Sequence, residues 1–318
     1  MAQLEPASNA LRQIRVAAQT PLACFNNAPV NFTNESNSHF REYRTAAGWL
    51  ADDGLVALRL RQSDRAHADL HALAQLVRFY RGDPYLAFQR LRLSLAGVAL
   101  QLTRAALAAP GWSEEQLAAW QKDWEGLDFV ESMEYGLAGE RAVAEALVEQ
   151  MRLSSARGRV DLMQTILVGR RNPSPRTADD YFLEYVAMPL WRASAEVDER
   201  EMIKYYQQAL ESLRRLRQGI PASEVHRQLQ TQQKEIEAML GSKLGGYRFI
   251  VCGLFITPLE RTSPNVISTE AQRVLTVTAI ALERFCLRHG KFPSALDELT
   301  PHFVSGVPVS SLACQWIP

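Results

Sequence analysis

The sequence carries no excess of charge of either sign: 35 Lys and Arg are matched by 35 Asp and Glu, a formal net charge of zero. With no bulk positive field, nothing draws the chain toward nucleic acid or an anionic lipid surface, and a nucleic-acid partner is not expected. Cysteines are few and scattered. Cys24, Cys252, Cys286 and Cys314 include no CxxC and no Cys/His pair at metal-site spacing, so neither a zinc module nor a disulfide framework is expected. Long apolar runs are missing as well. The longest, Phe249–Leu259, has 11 residues, against the roughly 20 that a bilayer span needs. Residues 1–10 lack the basic start and apolar stretch of a signal peptide. The 17 glycines form no phosphate-cradling loop, and no nucleophile elbow surrounds any serine.

What is present is helical periodicity. Residues 20–38, rich in Asn and Pro around NNAPVNFTNESN, have no period and read as a loop. Tyr43, Ala46, Ala47, Leu50, Gly54 and Leu58 then lie on one helical stripe, and Ala66, Leu70, Leu73, Val77 and Tyr80 on a second. The break at Gln62, Ser63 and Asp64 makes these two helices a hairpin with tetratricopeptide-like spacing, although no strict repeat period runs through the chain.

Asp83-Pro84 opens a third helix that Pro110-Gly111 stops. Its polar residues Arg90, Ser94, Gln101 and Arg104 occupy one narrow stripe, so it should be deeply buried. Ser113 with Gln116 predicts a capping box for a short helix carrying Trp120 and Trp124, and a longer helix spans Phe129 to Leu153.

Residues 154–177, with SSARGR and GRRNPSPR, read as a basic linker between an N-terminal helical lobe (1–153) and a C-terminal one (178–318). In the second lobe, Thr177 and Asp180 cap a helix that Pro189 should kink. A helix over Glu196–Gln218 has acids in its first turn and Arg214, Arg215 and Arg217 in its last, and Gly219-Ile220-Pro221 leads into a Gln-rich helix. The stretch RFIVCGLFIT suits a strand as well as a buried helical turn. A last long helix is expected from Ser268, followed by a short turn capped by Ser294 with Asp297. The fold class read from this pattern is all-α, a two-lobe, helical-repeat-like array of antiparallel helix hairpins.

Two stretches together resemble a known family. The lobe from about Ala46 to Met151, including Gly139-Glu140-Arg141-Ala142, and the run ALERFCLRHGKFPSALDELTPHF at 281–303 are similar to a family of uncharacterised bacterial proteins, often anchored in the membrane through an N-terminal helix. The second run is also similar to the C-terminal pattern of type II secretion pseudopilins. From Val309 the chain departs from that pattern, and no assembly role is carried over. The resemblance implies an extracytoplasmic, anchored helical domain.

Three constellations could carry chemistry. Asp64, His67 and His71 are all of metal-ligand type and fall on one side of their helix, opposite its apolar stripe, so they are expected to face solvent without a metal. Asp179, Asp180 and Glu184 form a DDxxxE array, and Asn34, Ser38 and Glu42 have the spacing of a second magnesium-binding triad in class I terpene synthases. Their order along the chain is the reverse of those enzymes. Glu140 continues a seven-residue apolar repeat with Val130, Met133, Leu137, Ala144, Leu147 and Met151. A buried carboxylate needs a partner, and Arg90 or Arg104 is expected to supply it. The function expected from all of this is a non-catalytic scaffold that binds a protein or peptide, a second copy of the chain included, and needs no cofactor. The alternative is a magnesium-dependent all-α enzyme acting on a prenyl diphosphate.

Overall fold

The computed structural model describes residues 5–19, 35–168, 178–256 and 259–306. Among the described residues every regular element is a helix, and none is long and apolar enough to cross a membrane. The α-helices are α1 (Glu5–Gln19), α2 (Glu35–Arg59), α3 (Ser63–Phe79), α4 (Leu86–Leu107), α5 (Glu114–Glu125), α6 (Phe129–Leu153), α7 (Ala156–Val168), α8 (Ala178–Phe182), α9 (Met188–Arg217), α10 (Ala222–Leu240), α11 (Gly245–Arg248), α12 (Ile250–Phe255) and α13 (Leu259–His289). A π-turn, Leu183–Ala187, joins α8 to α9, and a 3₁₀ turn, Leu296–Leu299, follows α13.

Local signals account for most of these boundaries. The capping box at α5 is formed as read, with Ser113 and Gln116 exchanging hydrogen bonds. Asp128 caps α6 through the Glu131 N–H at 2.7 Å. The chain leaves α2 through a turn in which Arg61 N–H bonds Leu58 O and Gln62 N–H bonds Ala57 O, with Arg61 at φ 56°. Gly219 ends α9 by the same pair of bonds, Gly219 N–H to Leu216 O and Ile220 N–H to Arg215 O, at φ 91°. This left-handed position costs an L side chain roughly 1 kcal/mol and glycine almost nothing. Arg61→Gly is therefore expected to raise stability by about 0.5–1 kcal/mol, seen as a higher urea midpoint at unchanged slope.

Several expectations are corrected. Of the linker at 154–177, residues 156–168 are helix α7, whose Val160 and Met163 join the buried core; residues 169–177, with Thr177, lie outside the described residues. Helix α9 begins at Met188, eight residues before the expected start, so Glu196, Asp198 and Glu199 sit inside it and not in its first turn. Pro189 stands in the first turn of α9, directly after a π-turn. Its ring would clash with the carbonyl four residues back, and the helix widens into the π-turn just before it, where Met188 N–H bonds Leu183 O. The stretch read as strand or helix forms α11 and α12. Helix α13 starts at Leu259, before Pro264, which is tolerated because only one early hydrogen bond is lost. Ser294 pairs with Glu298, not Asp297: Glu298 Oε1 accepts from the Ser294 and Ala295 N–H groups.

Packing builds outward from α4, which lies against α2, α3, α6 and α13. As its narrow polar stripe implies, Arg90, Ser94, Gln101 and Arg104 are exposed. Helix α6 rests on α9, and α9 on α10, α11 and α12. Helix α13 runs back along α4, α5 and α6, so buried side chains from Ala47 to Val304 form one continuous cluster.

Candidate functional site

Asp64, His67 and His71 do not all face solvent. Helix α3 presents its apolar stripe to α2 and α4, but its opposite edge is covered by α5, which offers polar partners in register. Gln116 donates to Asp64 Oδ1 at 3.0 Å, Trp120 Nε1–H donates to His67 Nδ1 at 2.6 Å, and His71 Nδ1 lies 2.7 Å from Asp123 Oδ2. Asp64 is exposed as expected, whereas both histidines are half-buried. Reading a polar edge as a solvated edge fails here because the neighbouring helix is polar too.

These bonds also fix the ring protons. The indole can only donate, so Nδ1 of His67 accepts and its neutral ring carries the proton on Nε2. Neither nitrogen is then open to a metal. Asp123, held by Gln75 at 3.2 Å, accepts from His71 Nδ1–H and raises its pKa, while burial lowers that of His67. The array is a hydrogen-bonded seam between two helices. No group of three or more His, Cys, Asp or Glu side chains among the described residues is placed to hold a metal ion.

The described members of the two magnesium-type triads are carried by different parts of the fold. Asn34 and the side chain of Ser38 lie outside the described residues, and Glu42 is exposed on α2, which packs on α1, α3 and α4. Asp179 is exposed, Asp180 accepts from Gln164 of α7, and Glu184 is buried in the π-turn, which packs on α7 and α9.

Glu140 lies between α6 and α9. The Tyr206 hydroxyl donates to Phe255 O at 2.8 Å and stands 3.5 Å from Glu140 Oε2. Burial pushes the carboxyl up to about 7, against the pull of the Arg90 charge and the Tyr206 contact. No ion pair joins Glu140 to either expected arginine: Arg90 acts at longer range while donating to Thr262 Oγ1 at 2.9 Å, and Arg104 is exposed. A folded-state pKa above the ordinary value near 4.5 means that this group's stabilisation is complete below about pH 4.5 and lost as pH rises through 7. Glu140→Gln should flatten that slope and exceed the wild-type stability at pH 8 by about 2–3 kcal/mol. Urea midpoints from pH 4 to 8 test this, and parallel curves for the two proteins would refute it.

Three polar centres are not signalled by the sequence pattern. Arg92, fully buried in α4, donates through Nε to Val77 O in the last turn of α3 and through Nη1 to Gln89 Oε1, while Gln89 reaches Tyr80 O. Together they satisfy the carbonyl end of α3, whose dipole offsets part of the buried charge; burial still lowers the Arg92 pKa to about 10. Asp198 is buried and accepts from Trp191 Nε1–H, Val251 N–H and Cys252 N–H. Arg15 of α1 bridges two acids, Nε to Asp69 Oδ1 at 2.7 Å and Nη2 to Asp53 Oδ2 at 2.5 Å.

On the surface, α8 and the π-turn display Tyr181, Phe182, Tyr185 and Val186, between 43% and 67% exposed. Tyr181 and Tyr185 lie parallel with centroids 6.4 Å apart, and Phe182 meets Tyr247 edge-on at 5.5 Å. No family model, curated protein or solved structure matches the chain.

Proposed function

We propose that the protein is a non-catalytic helical scaffold that binds a protein or peptide, built as a repeat-like array of helix hairpins of which α2–α3 is the clearest unit. The observation that carries this reading is the exposed aromatic surface of Tyr181, Phe182, Tyr185 and Tyr247. Large rings are the side chains most enriched at binding surfaces, since they offer much area for little loss of side-chain freedom. They stand as two ring pairs, Tyr181 with Tyr185 and Phe182 with Tyr247, unlike apolar residues scattered singly. The magnesium-enzyme alternative draws no comparable support, because the described members of its two triads sit on helices with different packing partners.

The test is selection of peptides from a displayed random library on the immobilised chain. A consensus is expected that binds with micromolar affinity and is lost in a Tyr181→Ala/Tyr185→Ala double variant. A library that yields no consensus, binding indifferent to the double substitution, or magnesium-dependent turnover of a prenyl diphosphate would each sink the reading.

A further inference from the structure

Two connections meet at one end of α2 and α4. The turn from α2 to α3 brings Leu58, Arg59, Arg61 and Ser63, the loop from α4 to α5 brings Pro110 and Trp112, and a hollow of about 480 Å³ lies between them. Small-ligand sites typically measure about 300–1,000 Å³. The lining is one-sided in charge, with two guanidiniums and no acid. Among the described residues neither Arg59 nor Arg61 forms an ion pair, whereas Arg65, early in α3, is tied to Asp53. The apolar wall is fixed in place. Trp112 Nε1–H donates to Ala106 O at 2.7 Å, which also covers a carbonyl at the end of α4, and the ring meets that of Trp120 edge-on with centroids 4.3 Å apart. Arg61 occupies the left-handed turn position, at φ 56°, where glycine would serve the fold better, so the turn itself does not account for an arginine there.

We propose that this hollow binds a phosphate monoester. The phosphate is held by the guanidiniums of Arg59 and Arg61 with the Ser63 hydroxyl, and its organic body lies against Leu58, Pro110 and Trp112. Charge decides the ligand class. A phosphate monoester carries about −1.5 to −2 at neutral pH and matches two cations, where a carboxylate would match one. Guanidinium also presents its donors as a planar fork that fits phosphate oxygens. With no carboxylate in the lining, the site attracts the anion directly and has no acid for a bridging metal ion to neutralise. The proposal goes beyond the scaffold reading and does not depend on it, since the aromatic rings that carry that reading stand on other elements, α8, the π-turn and α11.

The probe is phenyl phosphate, titrated calorimetrically into the full-length chain at low salt. Binding is expected with a Kd on the order of 0.1–1 mM, the range open to so small a ligand. Benzoate and inorganic phosphate, which lack the second charge and the ring respectively, should each bind at least roughly fivefold more weakly. Arg59→Gln and Arg61→Gly should each weaken phenyl phosphate on the order of fivefold or more. Arg61→Gly is the decisive variant, because the same substitution is expected to make the fold more stable, and a loss of binding there cannot be put down to unfolding. A phosphotyrosine peptide separates the two sources of such a ligand: tighter binding than phenyl phosphate assigns the site to a phosphorylated partner, equal binding to a free monoester. No binding of phenyl phosphate by wild type at concentrations up to about 10 mM overturns the proposal. So does an affinity that both variants leave unchanged, or benzoate bound as tightly as phenyl phosphate.

Discussion

Asp198→Ala is expected to lower the unfolding free energy by about 3–5 kcal/mol. The carboxylate is fully buried in the middle of α9, and three donors converge on it: the Trp191 indole at 2.8 Å, Val251 N–H at 2.8 Å and Cys252 N–H at 3.0 Å. The two backbone groups belong to the first turn of α12, whose early N–H groups have no partner within the helix. Alanine strands all three donors away from water, and each costs roughly 1–3 kcal/mol. Asp198→Asn keeps one accepting oxygen and turns an N–H₂ toward a donor, so it should cost less than alanine but remain clearly measurable. Guanidinium midpoints for the two variants check the order. An alanine variant within about 1 kcal/mol of wild type would mean that α12 does not depend on this cap.

Gly139→Ala should be destabilising by about 3 kcal/mol or more, although alanine is the better helix former by about 1 kcal/mol. A Cβ at this position of α6 would meet the Pro84 carbonyl oxygen well inside contact distance, with Pro84 Cβ at 2.5 Å and Pro84 C at 2.7 Å. These atoms lie on the backbone entering α4 and cannot rotate aside as a flexible side chain would. Overpacking of this kind typically costs 1–3 kcal/mol and more where backbone must shift. Gly97, in α4, would meet nothing within 4 Å, and Gly97→Ala should show the propensity gain alone. Thermal midpoints that move in opposite directions for these two substitutions are the expected result; a gain at both positions would show that α6 does not approach Pro84 so closely.

The contrast between what the sequence pattern disclosed and what it hid is a physical one. Helix α6 was legible because its apolar residues recur along one seam, and α5 because a capping box is a local device. The buried acids were not. Asp198 stands in the run Glu196, Asp198, Glu199, which has the look of a solvated helix start, and only the approach of α12, more than fifty residues later, makes it a buried cap. Asp69 and Asp53 drew no notice in the sequence, since their partner Arg15 comes from α1. The edge of α3 with Asp64, His67 and His71 misleads in the same way. A hydrophobic stripe reports the apolar neighbours of a helix, and polar helix-to-helix seams leave no periodic trace. Gly139 is the intermediate case: the helix that holds it was legible, yet the close approach of Pro84 that requires a glycine is a property of the tertiary fold.

The return of α13 to α4 and α5 sets an order on biosynthesis. Residues that close the apolar side of the N-terminal helices are synthesised well after those helices, with Val277, Ile280, Ala281 and Phe285 buried from α13. While residues 1–250 are outside the ribosome and α13 is not, α4 and α5 must wait with an open face until α13 has been translated, several seconds at about 5–20 residues per second. A nascent chain in that interval is a natural client for a chaperone that shields apolar helix surfaces, and a premature stop before residue 259 should yield an aggregating fragment rather than a shortened soluble domain.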